Sequence, residues 1–140
     1  VMHMQGSPQT MQISPRYSDV VAEVAEFLKA KAAEASDAGV REIFVDPGIG
    51  FGKRGEHNLT LLRHLRVIAE LGYPLLVGMS RKRFLGELAG GAPPDDRLEG
   101  SLASAVHAAL AGAAMLRVHD VAETVQALRV TAAARPEVAA

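Results

Sequence analysis

The sequence predicts an α/β protein with a parallel sheet, and three observations support that fold class. Short apolar runs alternate with longer segments in which apolar residues recur at helical spacing. The longer segments have the length needed for the helical crossovers that join parallel strands. Each of four apolar runs ends in a polar or glycine-rich cluster, and these clusters lie at residues 2–6, 46–53, 78–82 and 117–120. Because ligand sites in such proteins lie at the carboxyl ends of the strands, the four clusters are predicted to share one site.

The first predicted unit is a strand over residues 1–4 followed by a long helix. Ser14 and Pro15 form a favourable cap and first-turn pair, so the helix is predicted to begin there and to end near residue 38, before Gly39. One helical face is apolar and is expected to pack on the sheet. Its residues are Val20, Val21, Val24, Phe27 and Leu28.

The second and third units follow with the same alternation. Residues 42–45 form the second predicted strand, and the apolar spacing over 59–71 predicts an amphipathic helix. Residues 74–77 form the third strand, and a short helix is predicted over 82–88.

The fourth unit begins with a longer helix over residues 96–111, which leads to a strand over 114–118. Asp120 and Glu123 have the spacing of a capping box, which predicts a last helix through Leu128. Strands that alternate with helices in this way favour right-handed parallel crossovers.

Composition excludes several classes of protein. The chain has 140 residues, 49% of them hydrophobic, which fits a single domain over residues 1–140 with a buried core. A formal net charge of -1 excludes a generally basic nucleic-acid-binding protein. The sequence contains no cysteine, which excludes thiolate metal sites and fits a cytoplasmic location. The longest uncharged stretch, residues 100–116, is too short and too rich in small residues for a membrane span.

Charge is nevertheless concentrated around the strand-end clusters. Six basic residues lie in or beside them, against only three acidic ones. The basic residues are Lys53, Arg54, Arg81, Lys82, Arg83 and Arg117, and the acidic ones are Asp46, Glu56 and Asp120. This local excess predicts an anionic ligand.

The second cluster contains three alternating glycines after Asp46. Gly48, Gly50 and Gly52 fit neither the dinucleotide fingerprint nor a phosphate-binding P-loop. They make either a tight turn or a close approach of backbone to a flat ligand or to Phe51. The carboxylate of Asp46 is predicted to bind a ligand at the mouth of the sheet, or else to cap the loop that follows.

The third and fourth clusters suit anions. Ser80, Arg81 and Lys82 leave a strand through Gly78 and enter a helix, where a hydroxyl and free backbone N–H groups hold a carboxylate or phosphate. The same run also fits an ordinary solvated helix start. Arg117 and His119 lie two residues apart on one strand face, which suits a diphosphate. The alternative for His119 is a contact within the capping network of Asp120.

Taken together, the four clusters resemble the dihydropteroate synthase family. The matching motifs are Met-His-Met-x-Gly-x-Pro-x-Thr-Met at residues 2–11, Asp-Pro-Gly-Ile-Gly-Phe-Gly-Lys at 46–53, Gly-x-Ser-Arg-Lys at 78–82 and Arg-Val-His-Asp at 117–120. The resemblance implies a TIM (β/α)8 barrel, of which this chain would be a half barrel of four parallel βα units. It also implies that an upstream segment is missing, since the chain opens in a predicted strand without an initiator Met.

The resemblance further implies a reaction and the residues that perform it. Members of the family join 6-hydroxymethyl-7,8-dihydropterin diphosphate to p-aminobenzoate, with loss of diphosphate, in folate biosynthesis, and they are sulfonamide targets. The catalytic residues implied are Asp46, Lys82, Arg117 and His119, and the substrate-binding residues implied are Met2, Gly50, Phe51, Gly78, Ser80 and Arg81.

Individual roles follow from the same resemblance. Asp46 would accept hydrogen bonds from the N–H groups of the pterin ring, beside which Met2 would pack. Lys82 would contact the pterin ring and border the aminobenzoate site. Arg117 would stack on the pterin and, with His119, hold the diphosphate. For the aminobenzoate, Phe51 would flank the ring and Ser80 would bind the carboxylate.

The family also implies Mg²⁺ on the diphosphate, with a protein ligand that this chain does not contain, and a homodimer in the complete protein. The chain alone is expected to be nearly inactive. Two alternatives also fit the sequence. One is a pterin-binding barrel that is non-catalytic or transfers methyl groups, and the other is a structural half barrel that self-associates through its open edges.

Overall fold

The computed structural model describes residues 1–134, which form six helices and one small parallel sheet. The helices are α1 (Val20–Asp37), α2 (Gly55–Arg63), α3 (Leu65–Ala69), α4 (Arg83–Leu88), α5 (Leu98–Leu110) and α6 (Val121–Ala133). The strands are β1 (Leu76–Val77) and β2 (Met115–Leu116). No helix within residues 1–134 is long and apolar enough to span a bilayer.

The sheet is shorter than the sequence predicts. β1 pairs in parallel with β2, with Leu76 opposite Met115. The predicted first and second strands are wrong as strands, because each is reduced to isolated parallel bridges, Met2 with Asp46 and Val45 with Leu75.

Proline gives the physical reason for the short ladder between the second and third segments. Pro47 follows Asp46 directly and Pro74 precedes Leu75, and neither has an N–H to extend a ladder. The backbone nevertheless places all four predicted strand segments side by side in chain order. Asp46 N–H donates to the carbonyl of Val1 at 2.8 Å, and Leu76 N–H donates to the carbonyl of Val45 at 2.8 Å.

α1 begins five residues later than the Ser14-Pro15 pair predicts. Asp19 caps it, because the Asp19 carboxylate accepts from the N–H groups of Val21 and Ala22, at 3.0 Å each. The carboxylate of Glu23 in turn accepts from the N–H of Asp19 at 3.0 Å. These bonds satisfy the first free N–H groups of the helix, which explains its start.

The helix predicted over residues 59–71 is two helices, α2 and α3. His64 interrupts them with φ -112° and ψ 22°, outside the helical region. Its N–H is shared between the carbonyls of Thr60 and Leu61, at 3.2 Å each. The remaining helices lie within about two residues of their predicted starts, and α6 runs five residues beyond Leu128.

One hydrophobic core lies between the helices and the strand segments. The predicted face of α1 packs on it, with Val20, Val24 and Leu28 buried and Val21 and Phe27 half-buried. Loops that leave this core at the carboxyl ends of the strand segments carry the candidate site.

Candidate functional site

The loops after the strand segments meet around two neighbouring cavities. The smaller, of about 160 Å³, is lined by Gly78, Ser80, Lys82, Arg117, Val118 and His119. The larger, of about 230 Å³, is lined by Gln12, Gly50, Lys53, Gly55, Asn58, Lys82, Arg83, Phe84 and Glu87. Lys82 belongs to both linings, so residues of the second, third and fourth clusters meet around that side chain. The first cluster is joined to them through His3, which contacts Lys53.

Asp46 is half-buried beside this cationic group. Its Oδ1 accepts from Gly48 N–H at 2.7 Å, so the cap contact predicted as one alternative is present. Within residues 1–134 its Oδ2 makes no hydrogen bond. Burial raises the pKa of Asp46, and the Gly48 N–H and the charges of Lys82 and Arg117 oppose that rise. The second oxygen therefore remains available to a ligand with N–H donors.

The glycines after Asp46 allow close approach to other parts of the protein. Gly48 has φ +65°, and a Cβ there would collide with the carbonyl oxygen of His3. Gly50 has φ +82°, and a Cβ there would lie 2.8 Å from Cδ of Lys82. Residues 46–52, called the glycine loop below, are thus pressed between the residue 3–5 segment and Lys82.

A substitution tests this packing. Gly48→Ala is expected to lower the free energy of unfolding by more than about 4 kcal/mol, because it adds both left-handed strain and a backbone collision. Gly39→Ala is the matched control, since Gly39 has φ +88° but open space around it, and should cost only about 1–2 kcal/mol. Denaturant unfolding of both variants measures the difference, and equal losses would contradict the close approach at Gly48.

Lys82 precedes α4 and reaches across the glycine loop. Its ammonium lies 4.0 Å from the centroid of the Phe51 ring and donates to the carbonyl of Ile49. Burial lowers the pKa of Lys82 to about 8, with Asp46 opposing the shift and Arg117 adding to it. The ammonium is thus a partly desolvated cation between two cavities, suited to an anionic or electron-rich ligand.

Ser80 and His119 contact each other. Ser80 Oγ lies 3.0 Å from Nδ1 of His119 and accepts from the His119 N–H at 3.2 Å. Both side chains line the smaller cavity with Arg117, which lies over Gly78 so closely that a Cβ there would meet Arg117 Nε at 3.1 Å. The ring of His119 is therefore oriented by Ser80, whereas the sequence offered the Asp120 network or a diphosphate as its partner.

Arg81 is held by protein groups. Its Nε donates to Asp120 Oδ2 at 3.1 Å and its Nη2 to the other carboxylate oxygen. The capping box predicted for Asp120 and Glu123 is wrong, because the Asp120 side chain makes no cap bond and pairs with Arg81 instead. The hydrogen bonds from Arg81 lower the pKa of the Asp120 carboxyl. A contact between Arg81 and substrate stays a prediction.

The backbone at Arg81 is strained, with φ +59°. Three contacts besides the ion pair hold this conformation. Arg81 N–H donates to Ser101 Oγ at 2.9 Å, the Arg81 carbonyl accepts from Arg97 Nη1 at 2.8 Å, and Ser101 Oγ donates to the Arg97 carbonyl at 2.6 Å. Strain of this kind costs about 1–3 kcal/mol, and it sets the direction in which Ser80 and Lys82 leave the loop.

Sequence reasoning missed two residues that hold Gly50. Asn58, 3% exposed, accepts from the Gly50 N–H at 2.8 Å, and Gln12 donates to the Gly50 carbonyl at 2.8 Å. Asn58 lies three residues before Leu61 and seven before Leu65, on the buried face of its helix. An amide on an apolar stripe signals a specific partner, and that signal was available in the sequence. Met2, 39% exposed, pairs with the backbone of Asp46 at the edge of the site.

A second missed feature is the buried pair of His3 and Lys53. His3 is 7% exposed and Lys53 only 2%, and Lys53 Nζ lies 2.9 Å from His3 Nδ1. Burial, with the charge of Lys53, lowers the pKa of His3 to about 4. Burial lowers the pKa of Lys53 to about 7, with Asp46 opposing and Lys82 adding to the shift.

The lowered pKa of His3 predicts a pH dependence of stability. Between pH 4 and 6.5 the unfolded chain binds a proton at His3 that the folded chain does not, so the contribution of His3 to stability rises with pH across this interval. The contribution of His3 is about 3 kcal/mol in all, lost progressively as the pH falls from 6.5 to 4. Urea unfolding at several pH values measures it.

His3→Asn should remove that part of the slope, whereas His64→Gln, at an exposed histidine, should leave it unchanged. A slope that is the same in His3→Asn and in the unsubstituted chain would contradict the assignment to His3.

The described residues bring few metal-ligating side chains together. Among residues 1–134, no group of three or more His, Cys, Asp or Glu side chains is arranged to hold an ion. The carboxylate of Asp120, next to His119, forms an ion pair with Arg81. Residues 1–134 therefore offer Mg²⁺ no preformed cluster of protein ligands.

Comparison with known proteins assigns the chain to a family. Residues 1–119 match the family described as pterin binding enzyme, and the chain belongs to it. Among curated relatives, the dihydropteroate synthase of Neisseria meningitidis serogroup C is 53% identical over 132 residues, which are 92% of this chain and 47% of that protein. The chain spans about half the length of the curated relatives that it matches.

Solved structures agree with this assignment. The dihydropteroate synthase of Thermus thermophilus superposes with a TM-score of 0.93 at 52% identity, over 96% of this chain and 54% of that one. It has also been solved with 6HMPPP and, separately, with 4-aminobenzoate. The Yersinia pestis dihydropteroate synthase, solved with a sulfonamide drug, gives 0.90 at 46% identity, over 94% of this chain and 48% of that one. This likeness places the chain in the TIM-barrel fold family.

Proposed function

We propose that this chain is the substrate-binding half of a dihydropteroate synthase. In that reaction the amine of p-aminobenzoate attacks the methylene carbon of 6-hydroxymethyl-7,8-dihydropterin diphosphate. A C–N bond forms, the C–O bond to diphosphate breaks, and the amine loses a proton. The single observation that supports this most is the pair of cavities that share Lys82, beside Asp46 and Arg117. Relatives solved with each substrate class support it independently.

The chemistry requires stabilising a methylene that becomes cationic as a polyanion leaves. The carboxylate of Asp46, whose Oδ2 is open to a donor, accepts from the pterin N–H groups and stabilises positive charge on the ring. Arg117 stacks on the pterin, and with His119 it faces the departing diphosphate across the smaller cavity. Such fixed charges act without reorganisation during the reaction.

Positioning of the second substrate accounts for the remaining roles. Lys82 and Phe51 border the aminobenzoate ring, with Nζ of Lys82 4.0 Å from the centroid of the Phe51 ring. Gly50 has no side chain, so Lys82 can lie close to the loop. Ser80 binds the aminobenzoate carboxylate and also orients the ring of His119. Holding the amine against the methylene lowers the entropic cost of a two-substrate step.

The substrate-binding roles of Met2, Gly78 and Arg81 rest on the family resemblance and on their places at the site. Met2 borders the pterin, Gly78 gives room to Arg117, and Arg81 sets the backbone that presents Lys82. We infer that any Mg²⁺ on the diphosphate takes its protein ligand from outside this chain. A cytoplasmic location, a homodimeric complete protein and sulfonamide sensitivity remain predictions.

The half barrel is the second part of the proposal. Four parallel segments in chain order, each bonded to the next, support four consecutive βα units. A whole barrel takes about 250 residues, so the other half must come from a longer form of the protein or from a second polypeptide. Open edges at the segments around Met2 and Met115 are the places where it would add.

An assay of diphosphate release tests both parts. With both substrates and Mg²⁺, the chain alone should not turn over, and the protein completed by its other half should. No turnover by the completed protein would reject the function, and full turnover by the chain alone would reject the half barrel. Affinity for methyl-tetrahydrofolate without affinity for the pterin diphosphate would favour the methyl-transferring alternative. A multimer with a flat pterin titration would favour a structural role.

A further inference from the structure

The amine of Lys53 is the most deeply buried charged group whose role the reaction above leaves unassigned. It is 2% exposed, and three acceptors surround Nζ: the Gly48 carbonyl at 3.0 Å, the Phe51 carbonyl at 2.9 Å and His3 Nδ1 at 2.9 Å. Within residues 1–134 no carboxylate lies within 4.0 Å of this amine. Hydrogen bonds, and not an ion pair, therefore satisfy the buried amine of Lys53.

Two of these acceptors belong to the glycine loop, and the third belongs to the neighbouring strand segment. The Gly48 carbonyl also accepts from the Phe51 N–H at 3.0 Å, so the amine closes a turn that is already formed. His3 N–H donates to the Asp46 carbonyl at 3.0 Å, and the His3 ring lies 5.0 Å from the ring of Phe27. One side chain therefore ties the loop to a fixed part of the core.

The site residues depend on that loop. Asp46 begins it and is bonded through its carboxylate to the N–H of Gly48, whose carbonyl Lys53 holds. Phe51, whose carbonyl Lys53 also holds, places its ring against the ammonium of Lys82. A shift of the loop would move the carboxylate and the aromatic ring together.

We propose that Lys53 is a positioning residue of the ligand site, which holds Asp46 and Phe51 in place by tying the glycine loop to His3. The proposal rests on the function proposed above, in that it assigns these two residues to substrate. Lys53 itself does not touch the reacting atoms.

The number of N–H donors on the Lys53 amine determines which tautomer His3 adopts. An ammonium has three N–H donors for three acceptors, so His3 accepts at Nδ1 and carries its proton on Nε2. A neutral amine has two N–H donors for the two carbonyls, and its lone pair then accepts from His3 Nδ1–H. Loss of a proton from Lys53 is therefore coupled to a change of tautomer in His3.

The other charged groups near the pair are Asp46 and Lys82, which act on Lys53, and Glu23, which acts on His3. Tyr17 faces the His3 ring at 6.0 Å, and its hydroxyl donates to the Gly52 carbonyl at 2.7 Å. Burial raises the pKa of Tyr17 to about 12, so it keeps its proton across the range in which Lys53 titrates.

The loop itself gives a test that needs no ligand. The loop amides of Gly48 and Phe51 are hydrogen-bonded within the loop, and that of Gly50 is bonded to Asn58 of α2. Hydrogen exchange at these three amides therefore reports opening of the loop. In Lys53→Met these amides are expected to exchange at least about tenfold faster. Leu28→Ala, at a fully buried position on α1, controls for general loss of stability, because it should speed the exchange of core amides more than that of loop amides. Lys53→Met should do the reverse.

Nitrogen NMR of His3 gives the second readout. In the unsubstituted chain Nδ1 should change from acceptor to N–H as the pH rises through about 7, and in Lys53→Met it should not change. Should Lys53→Met fail to fold, His3→Leu and His3→Asn replace it, and only the leucine variant, which lacks an acceptor, should loosen the loop. Unchanged loop exchange in Lys53→Met, or equal loop exchange in His3→Leu and His3→Asn, would overturn the proposal.

Binding of the pterin diphosphate to the completed protein separates this inference from the function. Loosening of the loop should weaken binding by about 100-fold, the scale expected for misplaced binding groups. Unaltered affinity with a loosened loop would overturn the positioning role. No binding by the unsubstituted completed protein would reject the function, while the exchange and NMR results would still decide whether Lys53 ties the loop.

Discussion

Asp46→Asn is expected to lower kcat/KM for the pterin diphosphate by about 10²–10³-fold in the completed protein. The substitution is nearly isosteric, and its amide oxygen still accepts from the N–H of Gly48, so the turn is preserved. What is lost is the negative charge that faces the developing cation. Steady-state diphosphate release measures the effect, and most of it should fall on kcat because the charge acts most strongly in the transition state.

Two other variants make this result specific. Asp46→Ala removes the cap contact as well as the charge, so it should lower stability in addition to activity. Glu42→Gln removes an exposed carboxylate from the other end of the same segment and should change neither. Activity of Asp46→Asn within about threefold of the unsubstituted protein would show that the charge takes no part in the reaction.

Local sequence patterns predicted those features of the fold that depend on residues a few positions apart in the chain. The spacing of Val20, Val24 and Leu28 identified the buried face of α1, because helical periodicity is fixed by three to four residues. The same local signals misplaced its start, since Ser14-Pro15 and Asp19 both resemble helix starts and only tertiary context selects one. The predicted lengths of the second and third strands were wrong because Pro47 and Pro74 lack the N–H groups that would extend the ladder between them.

Convergence of the site was predictable and its internal contacts were not. Parallel strands place their carboxyl ends at one edge, so the meeting of Lys82 with Arg117 and His119 followed from topology. The contacts of Arg81 with Asp120 and of Lys53 with His3 join residues 39 and 50 positions apart. No local pattern indicates such pairs. The sequence therefore predicts a capping box for Asp120 and assigns Lys53 only to the local excess of positive charge.

Lys82→Met is expected to lower kcat/KM for both substrates by about 10²–10³-fold, because one ammonium lies between the two cavities. Methionine keeps an unbranched stem over Gly50 and loses the contacts with Phe51 and the Ile49 carbonyl. The KM for p-aminobenzoate should rise, since its ring would lose a cationic neighbour. Steady-state kinetics with each substrate varied in turn measures both changes.

The pH dependence gives this prediction a second, independent check. Because the pKa of Lys82 is lowered to about 8, the unsubstituted protein should lose affinity for its anionic ligands as the pH rises through about 8. Lys82→Met should lack that step, whereas Lys29→Met, at an exposed lysine of α1, should retain it. A step at pH 8 that survives in Lys82→Met would assign the titration to another group. It would also show that the ammonium of Lys82 is not the charge that both substrates contact.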